Sequence, residues 1–230
     1  SELSARKDPS DIANILLSKY KDNISRDALE QIENLPINER EYIRESISLL
    51  KASGWKIINQ KMINIKSGKP LSFEIITNKN KMEKLLLIWK DKLKKIGVNL
   101  NIRIIDSSQF QNRIQTFDFD AIIFQYYMSL SPGNEQSIYW GSWAADQIGS
   151  RNYAGIKHKA IDEVIQKITN AKSRKNLTEY TRILDRLLRS GKWFIPLFHD
   201  PLHRIAHQEN ISIPKEIPLY GFNPWTAWEK

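Results

Sequence analysis

Cysteine is absent from the 230 residues, so neither a disulfide framework nor a cysteine-ligated metal is available to this chain. That absence fits the cytosol, and it fits equally an export route on which a stray thiol is a liability. No apolar run approaches the length of a membrane span, and no signal peptide is present. The chain begins at Ser1 rather than Met, which predicts that it was processed or is a piece of a longer protein.

The signatures of common catalytic and nucleotide-binding sites are also missing. There is no Walker loop, no Gly-x-Gly-x-x-Gly after a strand, no His-Glu-x-x-His and no Gly-x-Ser-x-Gly elbow. His199, His203 and His207 recur every four residues, but the local pattern is extended, and four residues of strand advance ~13 Å. Zinc ligands lie ~2 Å from one shared ion. No metal site, catalytic residue or cofactor is therefore predicted, and Asp118 and Asp120 lack an obvious partner base or nucleophile.

Charge and apolar content describe a folded, basic domain. The formal net charge is +9, and the lysines are scattered over turns and over helix faces opposite the apolar stripes. This distribution favours a solvated basic surface, with a nucleic-acid face as the lesser alternative. A hydrophobic fraction of 41 % with Trp 7, Tyr 8 and Phe 8 is enough for a core.

Strands and helices alternate along most of the chain with short links. This order predicts consecutive crossovers, hence an α/β fold whose mostly parallel sheet is flanked by helices. The predicted elements are two helices within 1–34, a helix at 39–52, a hairpin over 55–65, a strand at 71–77, a helix at 80–96, a strand at 98–105, a short helix capped by Ser107, a strand at 119–126, helices at 158–171 and 174–190, extended stretches at 193–198 and 202–207, and a tail from 208 to 230.

The segment that follows strand 119–126 stands out. It runs to about Ile156 with Pro132, several glycines, interspersed rings and polar side chains, and no sustained helical period. Long irregular loops are uncommon in compact domains unless they are functional. In parallel sheets, ligands bind beyond the carboxyl ends of the strands, where this segment starts. It therefore predicts a pocket for a partly apolar, partly hydrogen-bonding ligand; the alternative is a surface loop pinned by buried aromatics.

The same segment carries a family resemblance. The runs LSPGNEQ from Leu130, YWGS from Tyr139 and GSRNYAGI from Gly149 resemble extracellular solute-binding protein family 5, and within it the Yej-type subgroup. Members are the oligopeptide- and dipeptide-binding components of bacterial ABC importers. SISLLKASGW, from Ser46 to Trp55, is similar to the LL-x-x-AGW helix end of that family, with Ser53 in place of Ala. The resemblance covers essentially all 230 residues in order.

The resemblance implies a periplasmic-binding-protein-like type II lobe of an incomplete two-lobed protein. Residues 1–193 would be the second, C-terminal lobe, and 194–230 a crossing strand and tail returning to the first lobe. It implies capture of oligopeptides or peptide-like compounds in the interlobe cleft and delivery to ABC permease subunits of the inner membrane. It also implies a periplasmic protein, monomeric in its full-length form, with no enzymatic activity and no nucleic-acid partner. The alternatives are a nickel, haem, sugar or peptide-nucleotide ligand in the same fold, or a basic nucleic-acid-binding module.

Ten residues of the segment are expected to contact ligand. They are Tyr126, Tyr127, Ser129, Ser131, Asn134, Glu135, Tyr139, Trp140, Arg151 and Asn152. The rings would form walls, the serines and Asn134 would bond a peptide backbone, and Glu135 would meet a cationic group. Arg151 and Asn152 would meet a carboxylate or tie the loop together. The alternatives are packing for the rings, a purely structural turn for the serines and Asn134, and a salt bridge within the protein for Glu135.

One departure from the family concerns the end of the peptide. In the better-known oligopeptide binders, an aspartate three residues after a Trp of this loop pairs with the peptide amino terminus. Here Tyr126 stands at the position of that Trp and Ser129 at the position of that aspartate. The resemblance therefore does not imply this ion pair, and Glu135 is the nearest candidate to replace it.

Overall fold

The computed structural model describes residues 18, 38–126, 128–129, 131–198, 205–216 and 223–229. The two helices predicted within 1–34 lie outside this part of the chain. The described elements are α1 (Glu39–Ala52), β1 (Trp55–Ile58), β2 (Lys61–Asn64), β3 (Ser72–Thr77), α2 (Glu83–Lys95), β4 (Asn99–Ile104), α3 (Ser107–Gln115), β5 (Ala121–Ile122), α4 (Glu135–Trp140), α5 (Lys159–Thr169), α6 (Arg174–Ser190), β6 (Ile211–Ser212) and β7 (Trp228–Glu229). Short 3₁₀ helices cover Asn80–Met82, Ser142–Asp146 and Pro224–Thr226.

The predicted parallel sheet is confirmed. Its strand order is β4-β3-β5, and both neighbours of β3 are parallel to it. Side chains alternate along the central strand, so Ile75 packs with Leu86 of α2 on one face, while Ile76 packs with Phe110 of α3 on the other. The two helices therefore cover opposite faces of the sheet.

Local capping signals set several helix boundaries. The Asn38 side chain accepts a hydrogen bond from the Glu41 N–H and starts α1, and Ser173 accepts one from the Asn176 N–H and starts α6. Both helices therefore begin at the predicted residues, 39 and 174. The predicted cap of α3 is wrong by one residue, because the Asp106 carboxylate accepts from the N–H groups of Ser108 and Gln109, which makes Ser107 the first helical residue.

The predicted hairpin is the antiparallel pair of β1 and β2. Its two turn residues, Asn59 and Gln60, have φ angles of 48° and 62°, the left-handed values of a tight two-residue turn. Met62 is fully buried with Ile96 and Val98, and its N–H donates to the Gly97 carbonyl at 2.8 Å. The hairpin is thereby fixed against the end of α2.

We expect Gly97→Ala to destabilise the protein by about 2–3 kcal/mol. Gly97 has φ +79°, and an added Cβ would lie 2.7 Å from the Met62 backbone nitrogen. The matched control is Gly68→Ala, since Gly68 has φ +69° but open space around it; it should lose only the left-handed cost of ~1 kcal/mol. Urea unfolding measures both, and equal losses would contradict the close approach at Gly97.

Three stretches predicted as strands or extended segments differ from the prediction. Of the strand predicted over 119–126, only Ala121–Ile122 pairs with β3. The extended stretches predicted over 193–198 and 202–207 form no strand in their described residues, 193–198 and 205–207. The assignment of 194–230 to a crossing strand and tail that return to the first lobe stays a prediction.

The remaining helices enclose a second core. α5 and α6 bury Ile161, Val164, Ile183 and Leu187 against one another.

The chain divides into two units, Ser1–Phe194 and Ile195–Lys230. In the second unit, β6 and β7 pair in antiparallel fashion. Among the described residues no helix is both long enough and apolar enough to cross a membrane.

Candidate functional site

The candidate site is the post-strand segment, residues 123–156, which leaves the carboxyl end of β5. Ile123 packs on the face of the sheet that α2 covers, and Phe124 packs on the face that α3 covers. Side-chain alternation thus continues past the two paired residues of β5. The segment is less irregular than predicted, because it contains α4 and the 3₁₀ helix Ser142–Asp146.

An aromatic cluster forms the base of this segment. The Tyr126 ring lies 5.0 Å from Phe124, 5.3 Å from Tyr139 and 4.8 Å from Trp140, measured between ring centroids. Phe124 lies 4.7 Å from Tyr153. These separations are typical of favourable aromatic pairs. The cluster joins the core beside α3 to the core of α5 and α6.

Burial changes the acidity of one ring in this cluster. Desolvation raises the pKa of Tyr126 well above its ordinary value, the nearby Tyr153 and Tyr139 raise it further, and Arg151 opposes the shift. The folded state therefore favours the neutral phenol. The resulting stabilisation is complete below the unfolded pKa of about 10 and is lost as the pH rises above it.

We accordingly expect Tyr126→Phe to flatten the loss of stability at alkaline pH. Above a pH of about 10 the free energy of unfolding should fall faster in the native protein than in the variant. Only the native protein has this phenol, which stays neutral in the folded state and ionises in the unfolded state. Denaturant titrations of both proteins at a series of alkaline pH values test this, since lysine ionisation is common to both. Parallel pH profiles would contradict the assignment.

Asn152 holds the segment together. The side chain is fully buried, and its Nδ2 donates to the carbonyls of Gly141 and Ile156 at 3.0 and 2.9 Å. Its Oδ1 accepts from the Ile156 N–H at 2.9 Å. Of the two roles expected for Asn152, these bonds support loop tying.

A serine of the segment also meets a histidine and an aspartate that follow the segment, but not as a catalytic triad. Ser142 donates from Oγ to the Asp162 carboxylate at 2.6 Å, and its Oγ accepts from the His158 backbone N–H at 3.0 Å. In a triad the aspartate orients the histidine ring, which takes the proton of the serine. Here the aspartate holds the serine directly and the His158 ring packs 6.0 Å from Trp193. The arrangement fastens the 3₁₀ helix to α5.

Asp118 and Asp120, which sequence places close together, have separate structural roles. The Asp118 carboxylate pairs with Arg113, which also bonds Glu74 at 3.0 Å. The Asp120 carboxylate accepts from the Glu74 backbone N–H at 2.9 Å. The Asp120 side chain therefore takes the place of a backbone partner for Glu74, which explains why the pairing of β5 with β3 begins only at Ala121.

The ten predicted contact residues are placed differently from one another. Exposed are Ser129, Ser131, Asn134 and Arg151; half-buried are Tyr126 and Glu135; buried are Tyr139, Trp140 and Asn152; Tyr127 lies outside the described residues. Tyr139 and Trp140, 8 % and 5 % exposed, pack into the core of α5 and α6. Their burial supports ordinary packing, the alternative expected for these two rings.

The exposed members carry polar groups near the start and the end of the segment. Ser129 Oγ donates to the Ser131 carbonyl at 2.8 Å. Arg151 donates to the Tyr139 hydroxyl at 3.3 Å, and its guanidinium lies 5.9 Å from the centre of the Tyr139 ring. The Glu135 carboxylate instead accepts from the Gly133 N–H at 3.0 Å and from the Gln136 amide at 3.1 Å. Glu135 is thus engaged within its own turn.

Trp143 is not among the ten predicted contact residues, yet its side chain is 60 % exposed. The Gly-Ser-Trp sequence could have signalled this exposure, because a Trp on a short 3₁₀ helix has few core side chains to pack against.

The described residues hold no group of three or more His, Cys, Asp or Glu side chains that could bind a metal; His199 and His203 lie outside them. Surface depressions lie on α5, lined by Glu163, Gln166, Lys167 and Asn170, and on α1, lined by Glu41, Arg44, Glu45 and Ser48.

Comparison with known proteins gives one family match and close relatives. The family model for the bacterial extracellular solute-binding proteins, family 5 Middle, matches residues 17–147. A probable peptide-binding protein YejA from Agrobacterium fabrum is 38 % identical over 84 % of this chain and 31 % of its own length. The chain therefore spans about a third of the length of that curated relative.

Solved structures agree in fold. The oligopeptide-binding protein AppA from Bacillus subtilis, in complex with a nonapeptide, has a TM-score of 0.57 at 23 % identity over 65 % of this chain and 30 % of its own. NikZ from Campylobacter jejuni, in complex with Ni(L-His), has a TM-score of 0.57 at 20 % identity over 66 % of this chain and 30 % of its own. Both chains share the periplasmic-binding type II fold.

Proposed function

The chain belongs to the bacterial extracellular solute-binding proteins, family 5, and from this membership we propose that it forms one wall of a peptide-binding cleft of an ABC importer. The protein would capture oligopeptides outside the cytoplasmic membrane and deliver them to the permease subunits. It would act as a periplasmic monomer that releases its ligand unchanged. The observation that carries the proposal is the 38 % identity to a probable peptide-binding protein over 84 % of the chain, which includes the post-strand segment.

The chemistry of the exposed side chains supports a peptide backbone as the ligand. Ser129, Ser131 and Asn134 offer hydroxyl and amide groups at the carboxyl side of the sheet, and all three are exposed. The Ser131 hydroxyl and the Asn134 amide can both donate and accept hydrogen bonds, as the alternating N–H and C=O groups of a peptide require, whereas the Ser129 hydroxyl already donates to the Ser131 carbonyl and would accept. Water bridges between them and side chains of the ligand would permit broad specificity. The aromatic cluster beneath holds this wall rigid.

The two ends of the ligand would be recognised unequally. Arg151 is exposed and is steadied by the Tyr139 hydroxyl, so we propose that it pairs with the peptide carboxylate. Ser129 cannot replace an aspartate at the amino terminus, and the Glu135 carboxylate is already occupied by Gly133 and Gln136. At this wall, recognition of the peptide amino terminus would therefore depend less on charge than recognition of the peptide carboxylate does.

A comparison of two small probes tests the assignment of Arg151. We expect trialanine to bind the native protein about ten- to a hundredfold more tightly than its C-terminal amide, since the amide lacks the charge-assisted bond. In Arg151→Ala, the two probes should bind alike. Isothermal titration calorimetry measures all four affinities. Lys157→Ala, which removes an exposed cation paired with Asp146, is the matched control and should preserve the preference for the free carboxylate.

A preference that survives in Arg151→Ala would contradict this role of Arg151 while leaving peptide binding intact. Failure of both probes and of longer peptides to bind the native protein would contradict the proposed function itself. Binding of a nickel complex or a sugar in their place would identify the ligand classes implied as alternatives.

A further inference from the structure

The longest basic stretch of the chain lies outside the post-strand segment. Between Glu45 and Glu74 no acidic residue occurs, and every charged side chain in between is a lysine. These lysines are Lys51, Lys56, Lys61, Lys66 and Lys69. The stretch therefore carries a charge of +5, compared with a net charge of +9 for the whole chain. The stretch comprises the end of α1, the hairpin of β1 and β2, and the turn that follows it.

The hairpin presents aliphatic side chains among these lysines. Ile57 and Ile58 are 42 % and 39 % exposed and directly precede the two-residue turn at Asn59 and Gln60. In the hairpin register Ile58 pairs with Lys61. Ile65, just after β2, is 55 % exposed. We call Lys56, Ile57, Ile58, Lys61 and Ile65 the hairpin tip.

Neighbouring elements hold the tip rigid and extend its charge. The Met62 side chain is buried, its N–H donates to the Gly97 carbonyl, and the Ile65 N–H donates to the Gly54 carbonyl.

The last turn of α2, which precedes Gly97, adds the exposed Lys92, Lys94 and Lys95. Of these, Lys92 and Lys95 share the Glu39 carboxylate, whose pKa their hydrogen bonds lower to about 2. The Glu39 carboxylate is thus already paired with two of these lysines.

We propose that the hairpin tip binds the surface of an anionic phospholipid bilayer. The lysines would lie among the lipid phosphates, and the isoleucines would enter the boundary between headgroups and acyl chains. Nucleic acid is the less suitable polyanion. Its phosphates could pair with the lysines, but a duplex has no apolar layer for the exposed isoleucines, and the bases of a single strand are bound by aromatic and arginine side chains. Since members of this family work outside the cytoplasm, such a contact would keep the protein beside the membrane that holds an importer.

Vesicle binding of the 230-residue chain tests the proposal. We expect the chain to co-float with vesicles of phosphatidylcholine and phosphatidylglycerol at low salt, to be released by high salt, and to remain unbound with phosphatidylcholine alone. Lys56→Gln/Lys61→Gln should weaken partitioning about 25-fold, at about fivefold for each lysine. Ile57→Ser/Ile58→Ser should weaken it about tenfold or more.

Lys172→Gln/Lys175→Gln is the control, because it removes two exposed lysines outside the tip and should leave partitioning within about twofold of native. Circular dichroism of each variant establishes that it is folded. Equal losses in the control and in the tip variants would overturn the assignment to the hairpin. Absence of binding to the anionic vesicles, or binding to double-stranded DNA without binding to vesicles, would overturn the proposal.

Discussion

Asn152→Ala should lower the free energy of unfolding by about 3–5 kcal/mol. The substitution removes three hydrogen bonds from a fully buried side chain and leaves two carbonyls and one N–H of Gly141 and Ile156 without these partners. Unsatisfied buried polar groups cost about 1–3 kcal/mol each. Equilibrium denaturation followed by tryptophan fluorescence gives the difference in free energy.

The matched control is Asn134→Ala in the same segment. Asn134 is exposed and makes no side-chain capping bond to α4, so its loss should stay within about 0.5 kcal/mol. A loss below about 1 kcal/mol in Asn152→Ala would mean that the loop does not depend on this amide. Asn152 would then be available for the ligand carboxylate that its position in the sequence first suggested.

Trp140→Ala should cost about 3–5 kcal/mol as well. The indole is 5 % exposed, packs with Ile156 and the helices α5 and α6, and donates to the Gln136 side chain at 3.2 Å. Removing it leaves a cavity and an amide oxygen without its partner. The same denaturation experiment measures this loss.

Trp143→Ala, three residues further along, is the control because its ring is 60 % exposed. We expect a loss below about 1 kcal/mol. If the two variants were equally stable, Trp140 would not be a core residue, and its predicted role as a pocket wall would regain support.

Signals that act over a few residues explain which elements could be predicted. Asn38 and Ser173 cap their helices through N–H groups three residues away, so the starts of α1 and α6 can be recognised in the sequence. The parallel sheet follows from the alternation of strand and helix. By contrast, β5 begins only at Ala121, because the Asp120 side chain bonds the backbone of Glu74, 46 residues away, and no local pattern contains that contact.

The candidate site shows the same division between local and distant signals. The position of the post-strand segment after β5 could be predicted, and so could its richness in rings and hydrogen-bonding groups. The pattern did not separate Trp140 from Trp143, because α5 and α6, which bury the first ring, lie later in the chain. The amide bonds of Asn152 to Gly141 likewise depend on how the segment folds back on itself.

Native mass spectrometry tests the central proposal, that the post-strand segment is one wall of a peptide-holding cleft. The sample should be the longest polypeptide that the gene encodes, purified without denaturation, because this chain spans about a third of the relative that it matches. We expect adducts that are released on denaturation and fragment as peptides, and we expect Arg151→Ala to carry fewer of them. A protein that carries no adduct and acquires none from a peptide mixture would contradict the proposal.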